Sequence, residues 1–150
     1  MKRDEAGQVA GIEVIPFGLL VFVVGSLVVG NVWAVLDAKT TATAAAREAT
    51  RAYVEAPNAA DGDAAARSAA SDAVRAVGRN PARMTLRLQL DTGFVRCGRV
   101  TSEVSYQVPF VRLPWIGGIG TGATAVGRHS EIVDPFRSDV PGEATCGGRF

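Results

Sequence analysis

Between Glu13 and Asp37 the chain carries no charged residue. The 23 residues from Val14 to Leu36 read VIPFGLLVFVVGSLVVGNVWAVL. As a helix, at about 1.5 Å per residue, this run is roughly 34 Å long and can cross a hydrocarbon core of about 30 Å. Core helices of soluble domains rarely sustain such a run, so this one feature limits the fold more than any other. Trp33, near its end, suits the membrane interface. The sequence therefore predicts a transmembrane helix over 14–36. Residues 1–13 are expected to be a cytoplasmic or leader segment, and 37–150 an extracytoplasmic domain.

A cleaved secretory signal is the rival reading. Lys2 and Arg3 supply its basic start, and Ala42-Thr43-Ala44 resembles its exit. The apolar run is too long for it, and Asp37 and Lys39 intervene. Basic residues flank the run on both sides, Lys2 and Arg3 before it and Lys39, Arg47 and Arg51 after it, so charge does not orient the chain. Cys97 and Cys146 are the sole cysteines. A pair beyond a membrane span suits a disulfide outside the cytoplasm; two separate free thiols are the alternative.

Beyond the run, Ala42, Ala45, Ala49, Ala52 and Ala56 recur at helical steps, widened by Ala46 and Tyr53. No Gly or Pro separates this stripe from the apolar run, which predicts one long helix ended by Pro57-Asn58. Asp61-Gly62-Asp63 offers the N-cap of a second helix over 64–77, with the stripe Ala66, Ala69, Ala70, Ala73, Val74 and Val77. The period then falls to two. Met84, Leu86, Leu88 and Leu90 predict one strand, and Val100, Ser102, Val104, Tyr106 and Val108 a second, with Cys97-Gly98 in the turn. A third strand is expected within 122–133, and an irregular tail after Asp134-Pro135. The fold class is thus α+β: a long helix, a short helix and a small antiparallel sheet of three strands.

The chemistry of enzymes is sparse here. Lys and Arg number 16 against 15 Asp and Glu, which lacks the basic excess of nucleic-acid binders. There is no Walker loop, HExxH, CxxC or GxSxG. Gly118, Gly120 and Gly122 join no strand to a helix, so they read as a flexible connection. His129-Ser130-Glu131 sets three reactive types side by side, but strand neighbours face opposite ways and form no relay without a bend. Cys97 acting as a nucleophile with His129 is the enzymatic alternative to its pairing with Cys146.

Two membrane features remain. Glu13 stands at the mouth of the apolar run, either as an interfacial acid or as one that pairs with a neighbouring subunit's charge. Ser26 and Gly30 form a small-xxx-small pair that lets helices approach closely, with Gly18 and Gly25 nearby. A glycine-tolerant span is the plain alternative.

Gly7-Gln8, Glu13, Pro16 and the long apolar run together resemble a type IV pilin-like prepilin. Residues 45–52, AAREATRA, are similar to the TadE-like pilus assembly proteins, as are Val108-Pro109-Phe110, Leu113-Pro114, Arg128-His129-Ser130-Glu131 and Asp134-Pro135-Phe136-Arg137. The resemblance implies a membrane-anchored minor pilin-like component, or an assembly factor, of a tight-adherence (Flp) pilus or a related secretion system. It implies other pilus subunits as partners, and cutting by a prepilin peptidase between Gly7 and Gln8. Glu13 would be the assembly glutamate, although it falls sixth from Gln8 where the family has it fifth. An uncut relative is the other form the family takes. No catalysis, cofactor, metal, nucleic acid or small-molecule substrate is expected. A generic envelope protein whose exterior domain binds a protein partner is the alternative.

Overall fold

The computed structural model describes residues 14–109 and 122–147. Gly7, Gln8, Glu13 and the 118–120 glycines lie outside the described residues. Helix α1 runs unbroken from Val14 to Glu55, 42 residues and about 63 Å. Pro16 sits in its first turn, where the missing N–H has no helical partner to lose. Polar residues along the helix turn inward on its own backbone. Asn31 donates to the Leu27 carbonyl, Thr40 and Thr41 to that of Asp37, and Thr50 to that of Ala46. Such back-bonding satisfies hydroxyls without a break in the helix.

Helix α2, Ala59–Ala76, begins five residues earlier than the sequence predicts. Its N-cap is Asn58 and not the Asp61-Gly62-Asp63 segment: the Asn58 Oδ1 accepts the Asp61 N–H at 3.0 Å. Asp61 lies in the first turn instead, where a carboxylate favours the positive end of the helix. The buried line of α2 is Gly62, Ala66, Ala70 and Val74, while Val77 is exposed. α2 packs antiparallel to α1. Gly62 lies against the Tyr53 ring at one end, and Arg79 pairs with Asp37 at the other.

A 3-10 turn, Pro81–Arg83, leads into the sheet. Strands β1 (Met84–Leu90), β2 (Arg99–Val108) and β3 (Ala123–Ile132) form an antiparallel meander in the order β1-β2-β3. Leu86 pairs with Val104, and Val104 with Gly127. Leu86, Val100, Ser102, Val104 and Tyr106 turn toward the helices, and Thr85, Arg87 and Gln89 toward solvent.

The core is built from small residues. Ala38, Ala42, Ala45, Ala46 and Ala49 of α1 are fully buried against the sheet and α2. This alanine stripe lets the helix lie almost on the sheet backbone. At Gly127 a Cβ would fall within 3.0 Å of main-chain atoms of Ala42 and Thr43, so only glycine fits there. Among the described residues the tail after β3, 133–147, has no helix or strand, as expected, but it is not external to the core. Val133 and Val140 are buried in it.

Candidate functional site

The chain separates its features along α1 into three zones. The first is the apolar half. From Val14 to Leu36 most of the large apolar side chains are 45–73% exposed, while Leu27 and Val35 are half-buried. This helix is long and apolar enough to cross a membrane, and Ala34 and Val35 at the end of the apolar stretch pack against the folded core. Ser26 and Gly30 lie together with Gly25 on the floor of an open groove walled by Phe22, Val29 and Trp33. A Cβ added at Gly25 or Gly30 would meet nothing within 4 Å. The groove is therefore open to a second helix.

The second zone is the pole of the folded domain next to the apolar half. Asp37, the first residue past the run, pairs with Arg79. Arg79 also lies over the Tyr106 ring, 5.3 Å from its centroid. The hydrogen bond it donates to the Asp37 carboxylate holds the Arg79 guanidinium above its ordinary pKa. Since Met84 and Ala125 pair with Tyr106, the start of β1 and the start of β3 lie at this pole too.

The third zone is the opposite pole, around the end of α1. Cys97 and Cys146 are joined in a disulfide, with Cα atoms 5.3 Å apart. The sequence alternative of Cys97 as a nucleophile is overturned by this bond, because no thiol remains. The disulfide ties the C-terminal tail to the β1–β2 connection. Main-chain bonds reinforce it: Cys97 N–H donates to Val133 at 3.0 Å, and Arg96 N–H to Pro141 at 2.8 Å. Arg137 then reaches the end of α1. Its guanidinium donates to the carbonyls of Val54 at 2.7 Å and Ala56 at 2.9 Å, and lies over the Phe94 ring. A cation on the last carbonyls of a helix satisfies orphan acceptors and opposes its dipole. Asp139 holds Arg137 from the other side, and that hydrogen bond keeps the Asp139 carboxyl below its ordinary pKa.

Beside the disulfide is a surface depression of about 480 Å³, lined by Thr92, Val95, Arg96 and Glu143. It holds no imidazole and no free thiol. His129, Ser130 and Glu131 are split as the strand period requires. The His129 Nε2 meets the Glu131 Oε1 at 3.0 Å on the helix side, while Ser130 bonds Thr101 on the other face. Ser102, opposite His129 on β2, buries a hydroxyl with no partner among the described residues. No cluster of metal-ligating side chains occurs among the described residues.

Three contributors escaped the sequence reading. Gly127 carried a usable signal, since a glycine inside a strand pattern marks close backbone approach. Arg137 and the Asp37–Arg79 pair carried none, because each joins segments far apart in the chain. No family model matches the chain, no curated protein matches it, and no solved structure matches it.

Proposed function

We propose that the protein is a membrane-anchored, non-enzymatic pilin-like component or assembly factor of a tight-adherence pilus or related secretion system. Its α1 crosses the membrane once, and its α+β domain stands outside the cytoplasm. The observation that carries this reading is α1 itself. One helix is bare and apolar in its first half and roofed by a sheet in its second, with no linker between. An apolar surface this widely exposed needs lipid or other helices around it. The disulfide supports an oxidising compartment for the domain. The TadE-like resemblance supplies the partner class, and the Ser26–Gly30 groove supplies a place for a neighbouring helix.

In this reading Glu13 selects the register between packed helices, and Gly7-Gln8 is the peptidase site. Glu13→Gln keeps the shape and removes the charge. Normal membrane levels, unchanged domain melting and reduced recovery in cross-linked complexes with pilus subunits are expected. Wild-type recovery would make Glu13 an interfacial residue only. Intact mass with and without the prepilin peptidase reads the cut. Cross-links solely to proteins unrelated to pili would favour the generic envelope protein.

A further inference from the structure

We infer that the pole of the folded domain next to the apolar half of α1 is a docking surface for anionic lipid headgroups. The inference rests on the reading of α1 as a membrane span and adds a second contact with the same bilayer.

The position of this surface follows from the packing. Arg79 on Asp37 brings the chain from Val77 to Arg83 level with the last residue of the apolar run. The antiparallel pairing of α1 and α2 leaves no freedom to place it elsewhere, because Gly62 is fixed on Tyr53 at the far end. A helix that crosses a bilayer therefore brings 77–83 to the headgroup layer.

The chemistry of the surface is that of an anionic partner. Lys39 and Arg83 are exposed and form no ion pair among the described residues. The acid next to the run, Asp37, is already engaged by Arg79. Between the cations lies Val77, 58% exposed, an apolar residue with no cover from the domain. At the opposite pole the carboxylates of Glu55 and Asp139 are matched by Arg51 and Arg137. Lys39 and Arg83 are thus unmatched cations beside the apolar half. Basic residues beside a span are drawn to a negative lipid surface within about a Debye length, roughly 10 Å at moderate salt.

The full chain in nanodiscs tests this. Discs of phosphatidylcholine alone are compared with discs that also contain phosphatidylglycerol, and amide exchange is followed over 77–83, with 59–62 as the reference. Exchange over 77–83 should slow roughly tenfold in the anionic discs, as electrostatic attraction by a few cations allows. The reference should not change. The double variant Lys39→Glu, Arg83→Glu should lose the effect and keep wild-type exchange over 59–62, which shows that it folds. Equal exchange over 77–83 in the two disc types would overturn the docking surface and leave the span intact. A chain that alkaline carbonate strips from the disc would overturn the span, and the docking with it.

Discussion

Gly127 is the residue on which the layering depends. Its α-hydrogen is all that separates β3 from the Ala42–Thr43 backbone. A methyl group there must push a helix off a sheet, since neither neighbour is a flexible side-chain end. Gly127→Ala should destabilise the domain by about 1–3 kcal/mol or more, the usual range for overpacking. Urea denaturation followed by far-UV circular dichroism measures this. Other residues set the response to acid. Arg67 holds the Asp63 carboxyl below its ordinary value of 3.8, and Arg137 does the same for Asp139. A carboxylate whose pKa is lowered by folding gives its full stabilisation above the unfolded value and loses it as pH falls through the folded one. These two pairs should therefore contribute fully at neutral pH and fade only below about pH 4. Both lie largely in solvent, so the effect is small. Melting temperature against pH for Asp63→Asn and the parent should converge in acid and differ above it.

At the scale of elements, the sequence disclosed types well and joints poorly. The apolar run, the alanine steps and the two alternating segments each carry a period that only one element satisfies. Hence α1, β1 and β2 emerge within a residue or so of their expected ends. The start of α2 was misplaced because Asn58 and Asp61 are both good caps. The choice between them depends on where Tyr53 leaves room for Gly62, which is a tertiary fact. The tail looked irregular because its role lies in single contacts, Arg137 on α1 and Val140 in the core, and single contacts have no period. The candidate site divided in the same way. The cysteine pair and the Ser26–Gly30 face were legible from residue type and spacing, and the cationic pole was not. That pole forms only when α2 folds back and sets Arg79 on Asp37. Arg137→Ala should uncap the end of α1. Hydrogen bonds from a charged donor of this kind are worth about 1.5–3 kcal/mol. Faster amide exchange confined to the last turn of α1 and the tail, with the 38–46 stretch unaffected, would be its signature.

For the whole molecule, the question is how so thin a core holds together. Its largest fully buried side chains are valines, with Thr50 and Ser102. Alanines bring elements close but remove little apolar area from water. The cross-link makes up part of the difference. Cys97 and Cys146 are 49 residues apart. Closing a loop of that length restricts the unfolded chain by about 4 kcal/mol in the chain-entropy model. Cys97→Ser with Cys146→Ser should lower unfolding stability by about that amount. Parent protein under reductant should follow the double variant in the same denaturant titration. A non-reducing peptide map of the parent should recover the two cysteines as one cross-linked species.

The unbroken course of α1 has a mechanical meaning. Nothing between the apolar half and the sheet can act as a swivel, so the domain turns when the span turns. From Leu36 to Glu55 the helix rises about 28 Å. A tilt of roughly 20° in the bilayer would swing its far end sideways by about 10 Å. Arg137 grips that end, and the disulfide grips the tail that carries Arg137. Tension applied at the disulfide pole would therefore pass down a stiff shaft into the apolar half with little give along the way.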